Sequence, residues 1–173
     1  IWSRGVNHEK FSKFNKLNLG KGPIFFFIVR VATEKNVEAF LKIKLDGTKV
    51  VVGDGPQLNS LKKKYPDVNY VGYQHGQDLV DYYASSDVMV FPSLTDTFGN
   101  VITEANATGT PVAAFNVIGP KDIIVNGING YIGDDLKSNI INCINLDRTK
   151  CQEYTKKFNW KECSRVFYDN VVT

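Results

Sequence analysis

The sequence predicts an α/β domain, a parallel sheet with helices on both faces, and three observations carry that expectation. Apolar runs of strand length recur at 24–31, 48–52, 69–71, 88–91 and 112–115, bounded by turn residues. Stretches of helical pattern separate several of them, at 57–65, 77–85 and 100–108. The unit from 88 to 115 reads strand, loop, helix, strand, which implies a right-handed parallel crossover. The run IFFFIVRV at 24–31 is nearly all apolar, as a central strand covered on both faces must be. Such a sheet is Rossmann-like.

Taken in order, residues 1–22 are polar, lysine-rich and weakly periodic, and Gly20, Gly22 and Pro23 mark a break. They read as an interdomain linker leading into one domain at 23–173 that includes a C-terminal helix. The chain opens on Ile1 with no methionine or targeting segment, and reads as a piece of a longer protein. Arg30 is the one charge in the first strand, and an arginine there needs a partner. Thr33 is placed to cap a helix running through Glu34, Lys35, Val37, Phe40 and Leu41. After the second strand, Gly53-Asp54-Gly55-Pro56 turns tightly into the helix at 57–65 and would pass the chain close beneath a ligand. The turn lacks the third glycine and the acidic ribose residue of the dinucleotide fingerprint.

The loop GYQHG at 72–76 could offer Tyr73, Gln74 and His75 to a nucleotide base, although His75 by itself reads as a surface residue. Beyond the central unit, Gly119-Pro120 opens a short helix through Ile123 and Ile124, and 127–130 turns into a strand at Tyr131 and Ile132. An amphipathic helix at 136–146 should point Ile140, Ile141 and Ile144 inward, and a last one at 160–172 carries Trp160, Phe167 and Tyr168.

A length of 173 residues suits one domain with a proper core, and 43% apolar residues is ordinary for a globular chain. The net charge of +3 is mild, and no basic run interleaved with aromatics points to nucleic acid. Lys62, Lys63 and Lys64 read as the solvated face of a helix. No apolar stretch approaches membrane-spanning length. Cys143, Cys151 and Cys163 form no CxxC and read as reduced structural thiols of a cytoplasmic protein. His8 and His75 have no metal-ligand spacing, so no metal site is expected. Asn106-Ala107-Thr108 fits the glycosylation acceptor pattern, but inside a predicted helix it is a chance match.

The chemistry gathers at the carboxyl edge of the predicted sheet, where open α/β sheets bind ligands. Asp96 lies in the loop after the 88–91 strand and Glu104 in the opening turns of the next helix. Gly99 lets a ligand approach the backbone, and the free N–H groups of the helix start attract anions. An acidic residue near a helix start also serves the helix dipole, but Glu104 lies too far in to act as a cap. Arg30 and Lys35 reach the same edge and could neutralise a diphosphate, although Lys35 alone would read as an exposed helix lysine. An anion on a helix start, with carboxylates nearby to grip hydroxyls, suits a sugar nucleotide.

With these pieces in register, the chain resembles the C-terminal, donor-nucleotide-binding domain of retaining glycosyltransferases of the GT-B fold, family 4. Arg4-Gly5-Val6-Asn7 is similar to the family's interdomain segment, and Arg30-Val31 with Glu34-Lys35-Asn36 to its phosphate-binding stretch. Val51-Val52-Gly53-Asp54-Gly55-Pro56 is similar to its second-strand turn. Tyr83-Ala84, Asp87 and Phe91-Pro92-Ser93 lead into Asp96-Thr97-Phe98-Gly99 and Glu104-Ala105. Gly109-Thr110-Pro111-Val112, Asn126-Gly127 and Asn129-Gly130 complete the series.

The resemblance implies a nucleoside diphosphate sugar donor, UDP- or GDP-linked, no separate cofactor, and metal-independent transfer with retention. It implies Arg30 and Lys35 on the diphosphate, Asp96 on the donor sugar and Glu104 on the ribose hydroxyls as the catalytic set. The binding set would be Gly53 in the second-strand turn, Gln74 in the base loop, and the backbone of Phe98, Gly99, Asn100 and Val101 for the distal phosphate and sugar. The acceptor-binding N-terminal half, with its usual histidine, is not among these residues, so the isolated domain should be inactive. Three departures are Asp96 where glutamate is commoner, Val29 where glycine usually precedes the arginine, and Asn106 where an apolar residue is usual. Gly119-Pro120-Lys121-Asp122 and Asp134-Asp135-Leu136 are most similar to members that glycosylate lipid or polyisoprenoid acceptors. The expected place is therefore cytoplasmic, peripheral to the inner face of a membrane. Two other readings stand beside this one. A non-catalytic nucleotide- or sugar-binding module fits the same residues, whereas a flavodoxin-like redox or signalling domain leaves Arg30, Lys35 and Glu104 together without a purpose.

Overall fold

A computed structural model gives the fold and describes residues 4–96 and 98–171, without the side chains of 166, 170 and 171. The chain runs α1 (His8–Ser12), β1 (Ile24–Ile28), a 3-10 turn (Thr33–Lys35), α2 (Val37–Leu41), β2 (Thr48–Val52), α3 (Leu58–Lys64), β3 (Asn69–Gly72) and α4 (Gly76–Ser85). It continues through β4 (Val88–Phe91), α5 (Asn100–Ala107), β5 (Val112–Ala114), α6 (Pro120–Ile123), β6 (Gly130–Ile132), α7 (Leu136–Cys143), α8 (Arg148–Thr155) and α9 (Trp160–Val171). Position 172, expected in the last helix, and Thr97 of the central loop lie outside the described residues.

The six strands form one parallel sheet in the order β3-β2-β1-β4-β5-β6. The expected α/β class is therefore the observed one. The chain winds outward from β1 to β3, then returns past β1 to place β4, so the winding reverses between β1 and β4. At such a switch point the loops diverge and leave a crevice at the carboxyl ends of the strands. Alternation along β1 explains its three phenylalanines. Phe26 enters the core beneath α4 and α5, with Tyr83, Ile102 and Ala105. Phe25 and Phe27 enter the opposite core, with Phe40, Leu61 and Ile140.

The structure corrects several details. The first strand stops at Ile28 rather than at residue 31. Beyond it the Val31 amide donates to the carbonyl of Asp54 at 2.9 Å, and the Gln57 amide donates to the carbonyl of Val31 at 3.1 Å. The two loops nest so closely that a Cβ at Gly53 would lie 2.2 Å from Val29 O, and one at Gly55 2.4 Å from Val31 O. The glycines thus admit the neighbouring backbone as well as any ligand. The helix expected from Thr33 to Leu41 is broken: Thr33 caps nothing, and Asn36 adopts a left-handed φ of 52° between the 3-10 turn and α2. Asparagine tolerates that region. Its side chain is used there, the amide donating to Pro92 O at 3.0 Å.

Ile141, expected inward, is exposed, because α7 turns Leu136, Ile140 and Cys143 to the core instead. Helices α1 and α8 add to the elements expected from the sequence. Within the stretch read as a linker, Val6 and Phe11 are buried in the core, and the Val6 amide donates to Phe158 O at 2.9 Å. Asn106 is fully buried and exchanges amide hydrogen bonds with buried Asn129, which in turn holds Ile123 O and the Val125 amide. The polar departure at 106 is thus satisfied inside the fold, out of reach of any glycosylation. The three cysteines are buried. Among the described residues no helix is long and apolar enough to cross a membrane.

Candidate active site

The crevice is built by the loops after β1, β2 and β3 on one side and by α5 on the other. A cavity of about 350 Å³ there is lined by Arg30, Gly53, Asp54, Tyr73, Gln74, Val101 and Glu104, among others. Five residues picked from the sequence, Arg30, Gly53, Gln74, Val101 and Glu104, therefore share one space. Arg30 is not inside the strand. It stands past the strand's end, mostly exposed, with its guanidinium 3.9 Å from the Glu34 carboxylate. Gln74 donates its amide to Val71 O at 2.9 Å, which fixes the side chain against its own strand. Tyr73 is 73% exposed and lies nearly parallel to the His75 ring, 6.0 Å away.

Helix α5 begins after Gly99, whose φ of 76° sets the chain into the helix, and no side-chain hydrogen bond caps it. A Cβ at Gly99 would sit 2.9 Å from Ile102 Cδ1, so the turn is tight as well as left-handed. Helix-start amides left without a side-chain acceptor suit an anion. Phe98 is half-buried and meets Phe158 edge to face at 6.3 Å, which anchors the loop before the helix. Asn100 is exposed at the helix start and lines a second cavity of about 410 Å³ with Arg4, Lys10, Thr103, Glu104 and Trp160.

Glu104 thus faces both cavities. Tyr83 donates its hydroxyl to Glu104 Oε2 at 2.9 Å. Burial raises the Glu104 carboxyl above its usual value, and the Tyr83 hydrogen bond and the charge of Lys10 work against that rise. Burial also pushes the Tyr83 phenol well up, so it stays a donor.

Asp96 lies elsewhere at the same edge. Lys35 Nζ is 2.8 Å from Asp96 Oδ2, and both side chains are mostly buried, at 23% and 16% exposure. The Asp96 loop packs against the loop after β5, where a Cβ at Gly119 would meet Asp96 O at 3.3 Å. Asp96 lines a wider opening of about 680 Å³ with Leu94, Asn116, Ile118 and Lys121. The two cations therefore part company: Arg30 sits by Glu104's cavity and Lys35 is paired to Asp96. Among the described residues no group of three or more His, Cys, Asp or Glu side chains is placed to hold a metal ion.

Tyr83 and Lys10 are site residues that the sequence reading assigned no role. Tyr83 lies 21 positions before Glu104, and the pairing is made only by the packing of α4 on α5. Another unforeseen residue, Arg148, donates to Ser86 O at 2.7 Å, Ala84 O at 2.9 Å and Thr110 Oγ1 at 2.9 Å. It closes the C-terminal end of α4, the helix that carries Tyr83.

The fold is that of the C-terminal, Rossmann-like half of GT-B structures. Over 97% of the chain the structure superposes on HepE of Anabaena, solved in complex with UDP, at a TM-score of 0.78, 18% identity and 56% coverage of that protein. The chain belongs to the group 1 glycosyl transferases, whose family model matches residues 22–145. It is 36% identical over 143 residues to a GDP-mannose-dependent alpha-mannosyltransferase of Corynebacterium glutamicum, covering 77% of this chain and 35% of that one. It is 29% identical over 189 residues to the sulfoquinovosyl transferase SQD2 of Arabidopsis thaliana, covering 93% of this chain and 37% of that one. The chain therefore spans little more than a third of the length of these two curated relatives.

Proposed function

We propose that this chain is the donor-binding half of a retaining, metal-independent glycosyltransferase and takes a nucleoside diphosphate sugar. The observation that carries the reading is the single cavity in which loops from three strands and one helix bring together Arg30, Gly53, Gln74, Val101 and Glu104. Relatives named for GDP-mannose and a fold neighbour solved with UDP support a GDP- or UDP-linked donor. No separate cofactor is needed. In this reading the base enters beside Gln74, the ribose hydroxyls meet Glu104, and the phosphates lie over the start of α5.

Lys35 and Asp96 would act as one unit. An ammonium has three donors, and the ion pair spends one, leaving the others for phosphate oxygens. Asp96 would meanwhile accept from hydroxyls of the sugar, so the pair brackets the bond that breaks. Arg30 and Lys35 stabilise the negative charge that develops on the departing diphosphate, the kind of preorganised electrostatics from which such sites draw most of their rate. The acceptor and its activating residues come from an N-terminal half, with a lipid acceptor at the inner face of a membrane and the enzyme itself cytoplasmic. Closure of the two halves supplies the alignment, worth about 7–11 kcal/mol in the best cases.

Melting of this chain with UDP, GDP, ADP and their sugars tests the reading. A true ligand at roughly 100 times its Kd should stabilise by about 2.7 kcal/mol. Glycosyl transfer should be undetectable until the acceptor-binding half is joined to it. Robust transfer by the chain alone would overturn the two-domain reading. Binding of no nucleoside diphosphate would favour a non-catalytic module.

A further inference from the structure

We propose that Tyr83 is the positioning residue of Glu104: it holds one carboxylate oxygen so that the other is presented to the ribose hydroxyls of the bound nucleotide. The proposal rests on the assignment of Glu104 to the ribose. A phenol has one proton to give, and Tyr83 gives it to Glu104 Oε2 at 2.9 Å. Among the described residues Glu104 Oε1 has no hydrogen-bond partner, and Glu104 lines the cavity with Gln74 and Arg30. A half-buried carboxylate tied at one oxygen has lost the rotation that would let it offer either.

The tyrosine itself cannot drift. It is fully buried, with its ring edge to face against Phe26 at 5.3 Å and Phe11 at 6.0 Å. Its carbonyl accepts from Thr110 Oγ1 at 2.7 Å, and Arg148 reaches that same Oγ1 while holding Ala84 O and Ser86 O. Side chain and backbone are thus fixed from opposite directions. Preorganisation of this kind sharpens a hydrogen-bonding site, because less order has to be created on binding.

Calorimetric titration of the 173-residue chain with GDP and UDP, each beside its 2′,3′-dideoxy analogue, reads the effect. Tyr83→Phe keeps the ring that packs on Phe26 and Phe11, so the fold is retained. It should weaken the ribonucleotide about tenfold, the value of roughly one hydrogen bond, and the dideoxy form by less than about twofold. In a Glu104→Gln background the same change should add no further loss. The pH profile supplies a second readout. The Tyr83 bond lowers the Glu104 carboxyl, so its removal should move the acid-side loss of ribonucleotide affinity to higher pH. Lys10 of α1 and Arg4 line one cavity with Glu104, Arg30 and Asp54 line the other, and all four stay in place in both proteins.

Equal losses for ribo and dideoxy forms, an undiminished loss in the Glu104→Gln background, or an unmoved profile would each overturn the positioning role. If the unaltered chain fails to distinguish ribo from dideoxy forms, the ribose assignment falls first and the proposal with it. That outcome is visible without any Tyr83 variant.

Discussion

The two carboxylates of the site are held in opposite ways. Asp96 sits in a loop and is met by a mobile-stemmed cation, Lys35, across 61 positions of sequence. Glu104 sits in a helix and is met by a neutral phenol that is itself immobilised. A charge balanced by another charge can be re-shared with an incoming phosphate, because the ammonium has three donors and the ion pair uses one. A carboxylate held by a buried hydroxyl keeps a fixed direction. The first arrangement suits the end of a ligand where bonds break and charge moves. The second suits the end that is only recognised.

Variants can break or sharpen this contrast. The largest effect should come from Arg148→Ala, which leaves Ser86 O, Ala84 O and Thr110 Oγ1 without their shared donor. Loss of a part-buried guanidinium with three acceptors should cost about 2–4 kcal/mol of stability, read from denaturant unfolding. In the protein that remains folded, ribose discrimination should weaken while dependence on the diphosphate persists. Equal loss of both would mean that the two ends are not separately supported.

Lys35→Ala should come next. It removes the ammonium beside Asp96 and should weaken nucleoside diphosphate binding by about 1–3 kcal/mol, the range of a charge-assisted hydrogen bond. Binding of the free nucleoside should hardly change, and a calorimetric comparison of the two ligands decides it. If both lose alike, the substitution has acted on the fold.

The smallest effect is a pH dependence of stability. Burial holds the Glu104 carboxyl above the usual glutamate range despite Tyr83 and Lys10. A carboxyl raised on folding binds its proton more tightly in the native state. Its contribution to stability is therefore full below the unfolded value and is lost as pH rises through the folded one. Glu104→Gln should remove that slope, so melting curves of the two proteins should diverge on the alkaline side of the transition. Parallel curves would show that the carboxylate is as comfortable folded as unfolded.

The strand-loop-helix-strand unit was legible because everything that defines it is local: an apolar run, a left-handed glycine and a helix start in succession. Glu104 could be picked out for the same reason, as a charge too deep in a helix to be a cap. Arg30 was misjudged in environment, because the end of β1 is set by Asp54 and Gln57 in another loop and not by the hydrophobicity of 24–31. The break at Asn36 depends on Pro92, 56 positions away. Tyr83 and Arg148 were beyond reach for that reason as well. A tyrosine on an apolar helix face looks like core, and an arginine whose acceptors are carbonyls 62 and 64 positions earlier leaves no pattern of its own.

Arg148 has one more consequence. The family model runs from 22 to 145 and contains all six strands and every residue assigned here to the donor. Yet Val6 and Phe11 before it, and Phe158 after it, fill the same core as Tyr83, Ile102 and Ala105, and Arg148 closes α4 from outside the matched span. A chain trimmed to the recognisable span would open that core to water on the side that supports Glu104. The family model is matched over a shorter length than the length that must melt together, and here the margins outside it are what keep the matched part in shape.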